Sequence, residues 1–230
     1  MAENKDPDTA VIHIAPIGDS ITQGGVRSRP EEYTYRYPLA AMLQEAGVRF
    51  DYVGSRQEGL SPDFRWPDVN GEPFDTDHEG YYGAKTAKVR DALKTAMDQW
   101  DAPADIALIH LGTNDQKLKE GGESHAQTVG EPLKEIIGML REKNPNVVIL
   151  LGHLNFDAGT AKTKIRPVVE EVAREMNTEE SPVVTVHHYE DFNENPKHPE
   201  TDTFDWAHPN PRGQEKMARK WFEAMRPFLE

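Results

Sequence analysis

The chain has 230 residues, with 40 acidic side chains against 26 basic ones and a formal charge of −14. That balance repels phosphate backbones and anionic membranes, so no nucleic-acid partner is expected. Cysteine is absent, which removes disulfides, thiolate nucleophiles and cysteine-based zinc sites together.

The first eight residues, MAENKDPD, hold no hydrophobic signal core. A leader removed and replaced by an initiator Met would look the same, so secreted, periplasmic and cytoplasmic locations all stay open. Residues 1–10 read as a flexible tail on one domain spanning 1–230. No stretch approaches the ~20 apolar residues of a membrane helix, and no membrane insertion is expected.

Five short apolar runs follow one another along the chain. They are residues 11–17 (VIHIAPI), 50–53 (FDYV), 106–111 (IALIHL), 147–152 (VVILLG) and 183–186 (VVTV). Such short runs, rich in β-branched residues and Leu, suit strands covered on both faces. Between them lie stripes of helical period. Val89, Ala92, Leu93, Ala96, Met97 and Trp100 form the first, and Val129, Leu133, Ile136, Ile137 and Leu140 the second. The third runs through Val168, Val169, Val172, Ala173 and Met176, and the last through Met217, Ala218, Trp221, Phe222 and Met225, opened by Asn210-Pro211. Strand and helix in alternation predict an α/β fold, a three-layer α/β/α sandwich around a five-stranded parallel sheet. Residues 54–82 and 187–207 fit neither period. Ligands of such sheets bind beyond the carboxyl ends of the strands, which directs attention to the loops after strands one, two, three and five.

Strand one ends in Gly18-Asp19-Ser20, placing a hydroxyl at that edge; the tripeptide equally suits a turn or helix cap. G-x-S-x-G occurs at none of the six serines, so the nucleophile elbow of α/β-hydrolases is absent. A serine nucleophile needs a base and a group to orient that base. Asp205-Trp206-Ala207-His208 supplies both within one turn, although Asp-x-x-His also arises by chance before a helix. Gly112-Thr113-Asn114-Asp115 follows the central strand, and an Asn amide there is a donor for a developing oxyanion or simply a turn residue. His78-Glu79-Gly80-Tyr81-Tyr82-Gly83 ends in a glycine able to present a backbone N–H. Asp19 and Asp115 read as turn-organising carboxylates. H-E-x-x-H is absent, so no metal and no cofactor is expected. His110 and His153 read as hydrogen-bonded core or strand-edge residues.

These four segments, in this order, resemble the SGNH (GDSL-type) hydrolase superfamily. The resemblance runs from about residue 11 to residue 221 and implies a flavodoxin-like sheet of order 2-1-3-4-5. It implies Ser20, His208 and Asp205 as the catalytic set, and Ser20, Gly83 and Asn114 as the oxyanion hole. Within the superfamily, Pro16-Ile17-Gly18-Asp19-Ser20-Ile21-Thr22, Tyr37-Pro38-Leu39, Asp51-Tyr52-Val53-Gly54-Ser55, His78-Glu79-Gly80 and His208-Pro209-Asn210 look like carbohydrate esterase family three. The second block departs from that pattern, continuing Tyr81-Tyr82-Gly83-Ala84-Lys85 where the family reads His-Ser-Gly-Trp. The resemblance implies a serine esterase acting on short acyl, chiefly acetyl, esters of carbohydrates. Trp66, Tyr81 and Tyr82 are the candidate sugar contacts, unless they anchor their loop. A short-chain lipid esterase, thioesterase or lysophospholipase is the alternative in the same chemistry, and a non-catalytic carbohydrate-binding protein the alternative outside it. The oligomeric state is left open.

Overall fold

The computed structural model describes residues 10–118 and 120–229. The tail expected over residues 1–10 lies outside the described residues apart from Ala10. Strands β1 (Ile12–Gly18), β2 (Phe50–Tyr52), β3 (Glu79–Gly80), β4 (Ile106–His110), β5 (Val148–Gly152) and β6 (Val183–Val186) build one sheet. Its order is β2-β1-β4-β5-β6, every ladder is parallel, and β3 adds a two-residue pairing to β1. The five expected strands are therefore all present in the expected order. The sixth lies within the unassigned stretch 54–82 and pairs Ile17 with Glu79 and Gly18 with Gly80.

The strands read as unbroken apolar runs because successive side chains point to opposite faces and both faces are covered. Ile106 and Leu108 enter one core and Ala107 and Ile109 the other; Val148 and Leu150 part from Ile149 and Leu151 in the same way. Helices α3 (Thr86–Ala96), α4 (Glu131–Lys143) and α5 (Arg166–Met176) cover the face of Ala107 and Ile109, and α2 (Arg36–Glu45) and α6 (Pro211–Met225) the face of Ile106 and Leu108. The four helical stripes correspond to α3, α4, α5 and α6. Asn210 caps α6 as its sequence suggests, the side chain accepting from Gly213 N at 3.1 Å. Helix α2 is an addition. Its Leu39, Ala40 and Leu43 are buried, with Tyr35 just before it, against Met217, Ala218 and Trp221 of α6. Among the described residues, no helix is long and apolar enough to cross a membrane.

Residues 54–82 are held by one fully buried cation. The Arg36 guanidinium donates to the carbonyls of Thr22 (3.0 Å), Gln23 (3.3 Å) and Thr76 (2.9 Å). Trp66 and Phe74 lie about it, 5.5 and 5.6 Å from their ring centres. Burial pulls this group down to about 10, still charged at neutral pH. Thr22 and Gln23 end the short helix α1 (Ser20–Gln23), so Arg36 ties the loop to the element that begins with Ser20.

Candidate active site

The chain leaves β1 for β2 on one side and later reaches β4 on the other, which opens a crevice at the carboxyl ends of β1 and β4. Ser20 begins α1 directly after β1. Asp19 caps that helix through Ile21 N at 3.0 Å, and as the first helical residue Ser20 has a backbone N–H without an intrahelical acceptor. Ser20 Oγ lies 3.0 Å from His208 Nε2. His208 Nδ1 lies 3.0 and 2.9 Å from the two carboxylate oxygens of Asp205.

Asp205 is fixed from three directions. Its Oδ1 accepts from Ala207 N (2.8 Å) and His208 N (2.9 Å), and its Oδ2 meets Arg29 Nη2 at 2.5 Å. Burial works to raise this carboxyl, but the two backbone donors and the imidazole outweigh it and hold it at about 2. It is ionised at any working pH and aims the imidazole at the serine. Behind Arg29 lies Glu32, 3% exposed and 3.5 Å from Nη1. Burial, only partly offset by Arg29, pushes Glu32 up to about 7.

The oxyanion candidates come from two loops. Asn114 Nδ2 donates to Ala84 O at 3.0 Å and, at the longer distance of 3.4 Å, to Asp19 Oδ2. Gly83 occupies the third position of a turn closed by Ala84 N to Tyr81 O, with φ +69°; an L side chain is strained there. Its N–H has no hydrogen-bond acceptor among the described residues. The turn is positioned from below. Gly80 N donates to His78 Nδ1 (2.8 Å), which leaves the ring proton on Nε2 to reach Glu58 O (3.2 Å). Glu79, fully buried, accepts from Ser55 N, Trp100 Nε1 and Tyr81 Oη at 2.6, 2.7 and 2.5 Å. Asp19 and Asp115 hold the turns as expected: Asp115 Oδ2 accepts from Thr86 N and Oγ1 at the start of α3.

The three candidate sugar contacts occupy different places. Tyr82 faces the site, its ring stacked on His208 at 5.4 Å and 16°, and Gln23 Oε1 holds its backbone N–H at 2.7 Å. Tyr81 is bonded to Glu79 and lies under Arg56. Trp66 faces away: Nε1 donates to Tyr33 O and the ring packs on Phe64 and Phe74. It anchors its loop, and the exposed aromatic beside the site is Trp206, 60% exposed and stacked on Phe156. Trp206 stands inside the Asp205–His208 segment, and nothing in its sequence context sets it apart from the aromatics of residues 54–82.

Two cavities flank the Ser20–His208 pair. One, about 510 Å³, is lined by Thr113, Asn114, Gln116, Lys117 and Trp206. The other, about 470 Å³, includes Gln23, Arg56, Glu58, Tyr81, Tyr82 and Lys88. A larger concavity of about 640 Å³ lies at the amino ends of β1 and β2, around His13, Gln44 and Phe50, and contains none of these groups.

A serine, a histidine and a carboxylate in hydrogen-bonded line at the carboxyl edge of a parallel sheet make, with the fold, the arrangement of a serine hydrolase. The chain belongs to the GDSL-like lipase/acylhydrolase family, whose model matches residues 17–216. It is similar over 95% of its length, at 26% identity, to a multidomain esterase of Ruminococcus flavefaciens, and spans 29% of that longer protein. Its fold is similar to that of a carbohydrate esterase family 3 protein of Talaromyces cellulolyticus, with TM-score 0.71 and 21% identity over 95% of this chain and 98% of the other. A family 3 carbohydrate esterase of Clostridium thermocellum matches with TM-score 0.69 and 22% identity over 96% and 98%.

Proposed function

We propose that the chain hydrolyses short acyl esters of carbohydrates, acetyl esters above all, through an acyl-enzyme on Ser20. The observation that carries this reading is the 3.0 Å contact of Ser20 Oγ with His208 Nε2, the far nitrogen being held by Asp205. His208 takes the serine proton as Oγ attacks the ester carbonyl, then returns it to the alcohol leaving group. The Ser20 and Gly83 N–H groups and the Asn114 amide receive the negative oxygen. Water, activated by the same imidazole, releases the acid.

The lining of the two cavities supports a hydroxyl-rich alcohol. Gln116, Lys117 and Trp206 stand on one side and Gln23, Arg56, Glu58, Lys88 and Tyr82 on the other, whereas a long acyl chain needs a continuous apolar channel. The names of the similar proteins, a multidomain esterase and two carbohydrate esterases, agree with this reading. Ser20→Ala is expected to abolish p-nitrophenyl acetate turnover and fluorophosphonate labelling with an unchanged circular dichroism spectrum. Retained turnover refutes the nucleophile. Acetate release from acetylated xylan, set beside p-nitrophenyl esters of rising chain length, tests the substrate: a preference for octanoate over acetate overturns the acetyl-sugar assignment.

A further inference from the structure

We propose that His153, His187 and Glu170 form a binding site for a divalent first-row transition metal ion, zinc being the best match, on the sheet edge formed by β5 and β6. The site owes nothing to the Ser20 chemistry. It arises from topology: Gly152 and Val186, the last residues of β5 and β6, are register partners, so the next residue of each strand, a histidine in both cases, emerges beside the other. Their rings lie parallel, 4° apart in plane and 4.9 Å between centres. Glu170, on α5, reaches over them and brings one oxygen, Oε1, 2.9 Å from His153 Nε2 and 3.7 Å from His187 Nε2.

Geometry separates this cluster from a set of ordinary hydrogen bonds. The His153 side chain is 1% exposed, yet among the described residues neither of its ring nitrogens has a hydrogen-bond partner. The Glu170 oxygen is close enough to Nε2 but off the direction in which that nitrogen bonds. Such an arrangement is costly for a buried imidazole on its own. The buried His110 and His188 share it, but among the described residues only His153 of the three stands in a group of ligand atoms close enough to share an ion. Zinc takes imidazole and carboxylate at about 2.0–2.2 Å in a tetrahedron, which sets ligand atoms ~3.3–3.5 Å apart. The two measured separations bracket that spacing, and all three donor atoms fall within 4.8 Å of one another.

The surroundings suit a cation. Glu190 Oε1 lies 3.3 Å from His187 Nδ1; a carboxylate there accepts from the Nδ1–H and leaves the Nε2 lone pair facing Glu170, the usual outer support of a ligating histidine. The Thr185 hydroxyl, 3.4 Å from that Nε2, is a weak competitor. Glu170 and Glu190 supply two negative charges. Two positive groups lie near: Arg166 is turned onto the Tyr189 ring, 3.3 Å from its centre, and paired with Asp157 at 2.9 Å, and Lys220 donates to the backbone carbonyls of His187, at 2.6 Å, and Glu190. His187 and Glu170 are partly exposed, 42% and 49% at their side chains, which leaves a path for entry and a fourth position for water.

The test is a calorimetric titration of the tag-free chain, stripped with a chelator and dialysed, with zinc ion, and a parallel titration with cobalt(II) read by its visible absorption. One equivalent is expected to bind with a Kd of about a micromolar or tighter. His187→Gln and Glu170→Gln, both at partly exposed positions that spare the fold, are each expected to weaken binding roughly tenfold or more and to remove the cobalt bands, while Ser20→Ala binds as the parent does. Absence of a one-to-one complex, full affinity in both ligand variants, or loss of binding in Ser20→Ala overturns the proposal.

Discussion

At the residue scale, the arrangement around Asn114 sets a measurable expectation. Its amide is pinned by the Ala84 carbonyl at 3.0 Å and its other contact, to Asp19 Oδ2, is long at 3.4 Å, so on the proposed mechanism that weak bond gives way to a negative oxygen that exists only in the transition state. Asn114→Ala is therefore expected to lower kcat roughly 10²–10³-fold with little change in KM; a change confined to KM, read from steady-state kinetics, moves Asn114 out of the oxyanion hole. Trp206 carries the complementary expectation. Exposed beside Asn114 and braced by Phe156, it is on the proposed reading the platform for the alcohol part of the ester, so Trp206→Ala should raise KM for acetylated xylan oligosaccharides several-fold and leave p-nitrophenyl acetate almost unaffected. Equal effects on both esters contradict that role. The candidate groups of the site were legible in the chain because each stands in a short block with its own turn chemistry. The role of Trp66 was not: an aromatic in a long loop has the same composition whether it faces sugar or the Arg36 guanidinium.

At the scale of elements, the strands and four helices follow from period, and the two departures have local causes. Helix α2 carries Pro38 in its first turn, where the missing N–H costs nothing, and shows only a narrow apolar stripe. Strand β3 is two residues long, too short to have a period. Both matter for the site. The β3 glycine Gly80 lies against α1 so closely that a Cβ there would collide with the Gln23 backbone, 2.7 Å from its Cα. Gly80→Ala is expected to push the Ser20 helix from its place, at a cost of about 1–3 kcal/mol. Calorimetry should show a lower Tm, and kcat/KM should fall more than the stability loss explains. A variant with parental Tm and kinetics shows that the contact is slack.

At the scale of the whole molecule, three carboxyls of the site make stability depend on pH in opposite senses. Asp205, held at about 2, contributes stability that is present above the ordinary range near 4 and is lost as pH falls through 2. Asp19 and Glu32, both pushed up to about 7 by burial, contribute stability that is complete below about 4 and is lost as pH rises through 7. Between pH 5 and 7.5 the second effect governs. Glu32→Gln, which cannot ionise, is expected to flatten the fall in Tm over that window by roughly 2–4 °C, the equivalent of about 1 kcal/mol in a chain of this length. Parallel melting curves for parent and variant show that Glu32 is already ionised at pH 5.

Periodicity and turn chemistry are properties of near neighbours in the chain, and they carry the layered α/β architecture, the strand order that its motifs imply, and the candidate groups Ser20, Asn114, Asp205 and His208. What depends on residues far apart in the chain came from the folded structure alone. Arg29 braces Asp205 across 176 positions, Arg36 ties the 54–82 loop to the element that begins with Ser20, Trp206 and not Trp66 stands exposed beside Asn114, and His153 meets His187 because two strands end in register. Each is imposed by the packing of whole elements, and no short window of the sequence contains all the groups that meet.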